Sequence, residues 1–463
     1  MSSSKSQHRK PPVKLLLDHA LLPEGWACDV GLDIEAGDIT RVTIGAAPHG
    51  RERVCGIALP GLASLHSHAF QRGMAGLAET RGPTSDSFWS WRQVMYRFVD
   101  RLAPEDIEVI AGYAFMEMLE AGFTAVGEFH YLHHDRDGRP YDDLAEMSAR
   151  IAAAAAATGI GLTLLPSFYA YGGFAGAPPG EAQRRFLNDP DRFLKLREGA
   201  RRAVRCLPDA VVGVAPHSLR AVTPETLAAV VAAAADGPVH IHAAEQMREV
   251  EECLAWSGKR PVEWLLANAS IDQRWCLIHA THMTGEEIGA LAASKAVAGI
   301  CPLTEANLGD GVFNAPAFLD AQGRFGVGSD SNVEINAPGE LKQFEYSQRL
   351  VLRARNVVPR EAGESTGVRL YRGALAGGSQ ALGRRIGALA EGLRADFVVL
   401  DAAHPDLAAG TGDRWLDSYI FVTGRSTVDS VFVGGERVVH GGRHRARDVL
   451  TQRYRSTLAG LAL

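Results

Sequence analysis

The chain has 463 residues, of which 46% are hydrophobic and 22% are charged, and its formal net charge is −6. This length exceeds that of one small domain, and the balance is ordinary for a globular protein. The net charge excludes an overall basic surface of the kind that attracts nucleic acid or an anionic membrane. No apolar run approaches the ~20 residues of a transmembrane helix, so we expect no membrane span.

The six cysteines are scattered along the chain and form no CxxC pair. In a chain of this length, such a distribution favours free thiols in a reducing compartment, so we expect a cytoplasmic protein. Residues 1–12 are polar and lack the apolar core of a signal peptide. We predict a disordered tail over residues 1–12.

Short apolar runs interrupted by Gly, Asp and Pro fill residues 13–58 and return after residue 390. Clear examples are residues 14–18, 39–45, 395–401 and 430–439. This texture predicts short antiparallel strands. We therefore expect a smaller β-sandwich domain built from both termini, with residues 13–58 and 391–463 as its two parts.

The middle of the chain, residues 59–390, alternates strand-like apolar runs with helical segments. The strand-like runs lie at about residues 53–59, 124–129, 161–167, 211–215, 239–242, 275–279, 296–301 and 325–329. The helical segments are 104–122, 141–158, 191–207, 223–235, 284–294 and 338–355. Eight strands alternating with helices predict an α/β fold, a (β/α)₈ TIM-type barrel. A doubly wound open sheet is the alternative, weakened because no GxGxxG follows the first strand.

Polar side chains follow five of the predicted barrel strands, at the carboxyl ends where such barrels carry their chemistry. Two histidines one residue apart on an extended backbone point to the same side, so one strand can aim two imidazoles at one ion. The groups are His66 and His68 after the first strand, His217 and Arg220 after the fourth, His240, His242 and Glu245 after the fifth, His279 after the sixth and Asp330 after the eighth.

A catalytic mononuclear metal site needs three or four protein ligands and an open position. His66, His68, His242 and Asp330 supply three nitrogens and one oxygen. We predict one divalent ion per chain, Zn²⁺ by preference, with iron and manganese left open because imidazole and carboxylate accept each. His240 is the rival of His242; we prefer His242 because it lies nearer the strand end, and we place His240 in a structural layer below.

Two further groups in this set have more than one interpretation. Glu245 can reach a water molecule at the metal site without being a ligand, or it can be a favourable first-turn glutamate of a helix. His279 can be a residue that supports the ligands, a fifth ligand, or a core histidine.

The motif set resembles the amidohydrolase superfamily, and within it the aminohydrolase branch, which uses one metal and no carboxylated lysine. The residues that carry the resemblance are Pro60-Gly61, His66-x-His68, His242-x-x-Glu245, His279 and Gly328-Ser329-Asp330. It covers nearly the whole chain after the first dozen residues. More narrowly, residues 68–73, 88–92, 127–133 and 215–220 resemble the formimidoylglutamate deiminases of histidine degradation. That likeness implies hydrolysis of N-formimino-L-glutamate to N-formyl-L-glutamate and ammonia, a small-molecule substrate, and a homodimer.

The resemblance also suggests roles for individual residues. Asp330 would take a proton from water and Glu245 would pass a proton to the departing nitrogen, while His279 would orient the nucleophile or stabilise the tetrahedral centre. The substrate has two carboxylates, which arginine matches best because its planar fork can bind a carboxylate bidentately. The resemblance points to these substrate contacts: Gln71, Arg92, Tyr131, His217 and Arg220.

Two other functions share part of this pattern. A related aminohydrolase acting on a nucleobase, or on another formimino amino acid such as formimino-aspartate, would use the same ligands, but Arg92 and Arg220 favour a dicarboxylate. A barrel that has lost catalysis and serves as an assembly protein would be free to lose ligands. The joint presence of the four ligands and Glu245 disfavours that second function.

Overall fold

The computed structural model describes residues 12–82 and 86–461. Except for Pro12, the predicted disordered tail lies outside these described residues. The strands are β1 (Val13–Leu22), β2 (Gly25–Glu35), β3 (Asp38–Thr43), β4 (Glu52–Pro60), β5 (Leu62–Ser67), β6 (Phe123–His130), β7 (Gly161–Phe168), β8 (Val211–Val212), β9 (Ala215–Pro216), β10 (Val239–Ala243), β11 (Trp275–His279), β12 (Val297–Ile300), β13 (Arg324–Val327), β14 (Phe397–Leu400), β15 (Val428–Val433), β16 (Glu436–His440) and β17 (Arg443–His444).

The α-helices alternate with the middle strands and continue to the end of the described chain. They are α1 (Phe88–Val99), α2 (Pro104–Glu120), α3 (Glu146–Thr158), α4 (Pro190–Ala203), α5 (Pro224–Ala232), α6 (Met247–Ser257), α7 (Pro261–Asn268), α8 (Gly285–Ser294), α9 (Pro302–Leu308), α10 (Ala315–Asp320), α11 (Ala337–Leu352), α12 (Thr366–Leu382), α13 (Pro405–Ala408), α14 (Asp413–Ser418) and α15 (Arg447–Leu461). Among the described helices, none combines the length and apolar character needed to cross a membrane.

Strands β5 to β13 form the barrel. One parallel sheet has the order β5-β6-β7-β8 with β9 paired to β7, and a second has the order β10-β11-β12-β13. Parallel bridges from Val214 to Val239 and from Ser218 to His242 join the two sheets on one side. A bridge from Ser67 to Asp330 joins them on the other. With β8 and β9 sharing the fourth position, the predicted (β/α)₈ TIM-type barrel is confirmed.

The predicted first barrel strand was wrong. The run at residues 53–59 is β4, which pairs with β1 and β14 outside the barrel, and the first barrel strand is β5. The chain passes between the two sheets at Gly61, whose backbone N–H donates to the Asp396 carbonyl oxygen at 3.0 Å. A Cβ at Gly61 would lie 2.2 Å from the Thr124 side chain, so this passage requires glycine. An apolar run does not reveal which of two adjacent sheets it joins.

The smaller domain is an eight-stranded sheet with the order β17-β16-β15-β14-β4-β1-β2-β3. Four of its strands come from each end of the chain, as predicted. Its two halves meet where β14 pairs antiparallel with β4, with Val399 opposite Ala58. Both residues are buried in the core of this sheet, together with Leu17, Val30 and Phe432. The division of the chain after residues 58 and 390 stays a prediction.

Helix starts and ends follow local chemistry. Helix α2 has Pro104 in its first turn, followed by Glu105 and Asp106, where acidic side chains favour the helix dipole. The alanine-rich α3 ends at Gly159, which adopts a left-handed conformation with φ of 83°. It begins later than predicted because the Asp143 side chain accepts from the Ala145 N–H and forms a turn first.

Two of the helices that lie outside the predicted helical segments, α12 and α15, pack on the barrel. Helix α12 packs against β13 so closely that a Cβ at Gly377 would lie 1.8 Å from the Phe325 carbonyl oxygen. The last helix, α15, packs on α2, where Tyr454 stacks on Tyr113 with ring centroids 4.0 Å apart. The Tyr454 hydroxyl donates to the Arg72 carbonyl oxygen at 3.0 Å. Helix α15 therefore contacts a short 3₁₀ helix, Ala69–Met74, that follows the first barrel strand.

Replacing Arg384, which follows α12, tests how much the stability of the fold depends on one buried ion pair. Its side chain is 0% exposed, and its guanidinium lies 2.9 Å from an Asp209 carboxylate oxygen. R384A leaves that carboxylate without its nearest cation, so the free energy of unfolding should fall by about 3 kcal/mol. Urea unfolding followed by circular dichroism measures the change.

The adjacent arginine gives a matched control. Arg385 is 59% exposed and pairs with Asp38 at 2.6 Å. R385A should change the free energy of unfolding by less than about 1 kcal/mol. Equal losses in the two variants would contradict the assignment of stability to the buried pair.

Candidate active site

Three histidines and one aspartate from three distant segments meet at the carboxyl end of the barrel. The ligand-capable nitrogens of His66, His68 and His242 lie within 4.8 Å of one another. The Nε2 atoms of His66 and His242 are 3.1 Å apart. The Asp330 Oδ1 atom lies 3.5 Å from Nε2 of both His66 and His68. The structure thus brings together the four side chains that the sequence predicts as metal ligands.

Backbone carbonyls set the tautomers of two of these histidines. His68 directs Nδ1 to the Phe129 carbonyl at 2.7 Å, and His242 directs Nδ1 to the His217 carbonyl at 2.8 Å. Because a carbonyl oxygen only accepts, both Nδ1 atoms carry the hydrogen and both Nε2 lone pairs point into the cluster. His240 instead bonds the Ala381 carbonyl through Nε2 at 2.8 Å, away from the cluster.

The electrostatics of the cluster favour neutral imidazoles. Burial lowers the pKa of His66 and His242 well below the usual value, and neighbouring imidazoles lower both pKa values further. Burial also lowers the pKa of His68, although the negative charge of Asp330 raises it in part. Neutral imidazole is the form that binds metals. Three inward nitrogen lone pairs and one carboxylate therefore fit a divalent cation, whose charge would relieve their mutual repulsion.

Beside this cluster lies a set of groups suited to proton transfer. The His279 Nε2 atom is 3.6 Å from Glu245 Oε1 and 3.8 Å from Asp330 Oδ2. Its Nδ1 atom bonds Glu305 Oε1 at 3.1 Å. Burial alone would lower the pKa of His279, but the surrounding carboxylates outweigh burial and raise it to about 10. Burial raises the pKa of Glu245 to about 7, although the positive charge of His279 lowers it in part.

The backbone is strained where these side chains leave their strands. Ala244, His279 and Asp330 have φ angles of 52°, 67° and 44°, in the left-handed region that non-glycine residues rarely adopt. Each residue lies at or just beyond the end of β10, β11 or β13. Such conformations persist only where surrounding contacts hold them, and they concentrate at functional sites.

A cavity opens next to the cluster, with His68, His242 and Asp330 in its wall. Its wall carries all five predicted substrate contacts together with the acid–base groups, namely Gln71, Arg92, Tyr131, His217, Arg220, Glu245, His279 and Asp330. Gln71 donates to the Tyr131 hydroxyl at 2.9 Å. Gln71 Oε1 has no hydrogen-bond partner among the described residues, so it is free to bind a ligand.

Two arginines form the far side of this cavity. The Nε atoms of Arg92 and Arg220 are buried, and neither has a hydrogen-bond partner within the described part of the chain. Burial and the charge of Arg220 both lower the pKa of Arg92. The Arg92 guanidinium stacks 4.5 Å from the Trp89 ring, whose other contacts include Arg248 at 4.4 Å. Two unpaired cationic groups facing one cavity favour an anionic ligand.

Sequence reasoning missed several residues that support this site. Glu305 bonds His279, Glu249 accepts from the backbone N–H groups of Ala244 and Glu245, and Trp89 stacks on Arg92. In sequence Glu305 and Glu249 are ordinary acidic residues in the first turn of α9 and α6. Only the folded chain reveals their partners.

Comparison with known proteins places this fold and site in a family. The model of the Amidohydrolase family matches residues 57–438. The chain belongs to the amidohydrolase family. A formimidoylglutamate deiminase from Pseudomonas aeruginosa is 52% identical over 436 residues, which cover 94% of this chain and 96% of the relative. An 8-oxoguanine deaminase from the same organism is 27% identical over 398 residues, 83% of each chain.

Two solved structures share this fold. An amidohydrolase from Brucella melitensis has a TM-score of 0.93 and 53% identity, covering 97% of this chain and all of its own. An adenosine deaminase from Xanthomonas campestris with bound zinc has a TM-score of 0.79 at 20% identity, covering 97% and 98% of the two chains. The second likeness concerns the fold alone.

Replacing each of the two histidines of β10 in a separate variant tests which one is the ligand. H242A removes an inward nitrogen, so bound divalent metal should fall below about a tenth of an equivalent, since three ligands hold such ions weakly without the fourth. H240Q keeps a donor for the Ala381 carbonyl and should retain a full equivalent. Metal analysis of the purified proteins, with thermal unfolding as a check on folding, measures both. Loss of metal in H240Q alone would reverse the assignment.

Proposed function

We propose that this amidohydrolase hydrolyses N-formimino-L-glutamate to N-formyl-L-glutamate and ammonia, a step of histidine degradation. The observation that carries the proposal is one cavity with a histidine–aspartate cluster at one side and two arginines at the other, whose buried Nε atoms have no hydrogen-bond partner among the described residues. The formimino group is a carbon bound to two nitrogens, and the remainder of the substrate carries two carboxylates. The 52% identity with a formimidoylglutamate deiminase supports the same substrate.

Binding of the substrate follows from the two sides of the cavity. Arg92 and Arg220 bind the glutamate carboxylates, because a buried guanidinium without a protein partner gains most from a carboxylate. Gln71, Tyr131 and His217 lie between these arginines and the cluster, where they bond the polar atoms of the substrate and hold the formimino carbon beside Asp330.

Hydrolysis requires water to add to the formimino carbon and the terminal nitrogen to leave. His66, His68, His242 and Asp330 would hold a divalent ion, and its Lewis acidity would lower the pKa of water so that hydroxide, the nucleophile, becomes available near neutral pH. Asp330 accepts the proton that the attacking water loses. Glu245 gives its proton to the terminal nitrogen and the proton on Asp330 follows, so that the C–N bond breaks and ammonia departs. The hydroxyl proton of the tetrahedral carbon passes to Glu245 and restores its acid form. The carbon keeps the oxygen as the formyl group.

His279 completes this arrangement as a cation. Its raised pKa keeps it protonated at neutral pH, between Glu245 and Asp330. There its Nε2 hydrogen orients the attacking water and stabilises the negative charge that develops on oxygen at the tetrahedral carbon. The Glu305 carboxylate at Nδ1 holds the ring in this orientation.

Zinc is the ion we propose, because three imidazoles and one carboxylate match its preferred ligands and leave a place for water. A homodimer is proposed from an exposed apolar surface near the end of α11. Leu350, Val351 and Leu352 are 79%, 60% and 52% exposed there, more than a lone subunit favours. The cytoplasm is the proposed location, supported by six cysteines that are all free within the described residues.

Ammonia release from a panel of compounds tests the proposed function. N-formimino-L-glutamate should have the highest kcat/KM, followed by N-formimino-L-aspartate, which has the same groups on a shorter chain. Guanine and adenosine lack the carboxylates that the arginines require and should release little ammonia. A nucleobase as the better substrate would replace the proposal with deamination of that base.

Two arginines of α1 provide the matched variants for that assay. R92M removes one carboxylate contact, so KM for N-formimino-L-glutamate should rise about 10-fold to 100-fold, the effect of losing a charged hydrogen bond. R97M changes an exposed arginine of the same helix and should leave KM unchanged. If R92M and R97M behave alike, Arg92 does not bind the substrate.

Glu245→Gln separates proton transfer from metal binding. The amide cannot deliver a proton, so kcat should fall about 10²-fold to 10⁴-fold while the metal content stays at one equivalent. The control E251Q changes an exposed glutamate of α6 and should keep full activity. Full activity of E245Q would refute the proton-transfer role.

A further inference from the structure

One buried carboxyl group near the site has no role in the mechanism above. Asp310 lies in the turn between α9 and α10, and it is 4% exposed. Oxygen atoms of Asp310 and Glu245 and a nitrogen of His279 lie within 4.8 Å of one another. Glu245 and His279 line the cavity, whereas Asp310 is not among the residues of its wall.

The turn is built to hold this side chain in place. Gly309 and Gly311 on either side have φ angles of 71° and 124°, which allow the sharp reversal. The Asp310 N–H donates to the Glu305 carbonyl at 3.0 Å, and its carbonyl accepts from His282 Nε2 at 2.8 Å. The backbone of Asp310 is therefore fixed on both sides.

The two carboxylate oxygens of Asp310 differ in their contacts. Oδ1 accepts a hydrogen bond from the Gln246 side-chain amide. Oδ2 is buried and has no partner among the residues that the structure describes. A buried charged oxygen without a donor is unfavourable, whereas a protonated oxygen can donate to a nearby carboxylate. Glu245 is the neighbouring carboxylate that faces the substrate.

We propose that Asp310 is a positioning residue that shares one proton with Glu245, so that Glu245 can deliver that proton above the pH at which an isolated glutamate would have lost it. This inference rests on the proposed function. Two carboxyl groups so close in a buried site do not both ionise near neutral pH. When Glu245 gives its proton to the departing nitrogen, the proton held by Asp310 passes to Glu245, and the hydroxyl proton of the tetrahedral carbon restores the pair as the formyl C=O bond forms.

Charged neighbours on every side set the behaviour of this pair. The charged groups that act on both carboxyl groups are His279 and Asp330. Glu245 also has Arg220 and Glu249 near it, and Asp310 has Glu305 and His282. Burial raises the pKa of Asp310 to about 9, and the charge of Glu245 adds to the effect. The last proton of the pair is therefore lost at a higher pH than Glu245 alone would allow.

The pH dependence of kcat for N-formimino-L-glutamate tests this role. In D310N, Glu245 must hold the proton alone, so the alkaline limb should move to lower pH by about one unit or more. At about pH 8.5 kcat should then be roughly tenfold or more below wild type, with agreement within about threefold near pH 6. D310E restores the carboxyl group and should return the limb toward wild type. D320N, at an exposed carboxylate, is the matched control.

A second variant predicts a shift of opposite sign. Q246L removes the donor to Oδ1 and disfavours the charged form of Asp310, so the alkaline limb should move to higher pH. This variant decides the question if D310N does not fold. An equal loss of kcat at every pH, or profiles unchanged in both variants, overturns the shared proton. A wild-type protein that releases no ammonia from this substrate instead overturns the proposed function.

Discussion

The contact between the first and last barrel strands is the constraint on which the site depends. The His68 N–H donates to the Asp330 carbonyl at 2.9 Å, and the Asp330 N–H donates to the His66 carbonyl at 3.0 Å. The Asn332 amide bonds the Ser67 hydroxyl and the His68 carbonyl, 3.1 and 3.2 Å away. Ligands more than 260 residues apart in sequence meet only because the barrel closes here. The entropy lost in closing so long a loop is offset by the barrel core rather than by the site.

The cavity joins two regions of opposite charge. Neutral imidazoles and carboxyl groups lie at the end of the barrel, and Arg92 of α1 and Arg220 contribute the cationic part of the cavity wall. Stacking of Arg92 on Trp89 keeps the guanidinium in place without using its hydrogen-bond donors. This separation suits a substrate whose reactive carbon and carboxylates lie at opposite ends.

Much of this architecture could be predicted because it follows from short-range rules. The spacing of His66 and His68 fixes their common direction, and the end of β13 at Val327 places Asp330 near them. Contacts between distant segments could not be predicted. The run at β4 has the same apolar texture as a barrel strand, and its sheet is decided by its neighbours. Asp310 looks like any acidic residue between two glycines until the fold buries it.

The hydrogen bond from Tyr454 to the Arg72 carbonyl has a consequence for the order in which the pocket is completed. Arg72 also donates to the carbonyls of Asn332 and Val333, directly beyond the barrel's closing contact. Helix α15, which carries Tyr454, follows every barrel strand in the chain. During synthesis, a chain that already contains all the barrel strands therefore still lacks this contact, and the segment that carries Gln71 gains its outer support only when α15 docks.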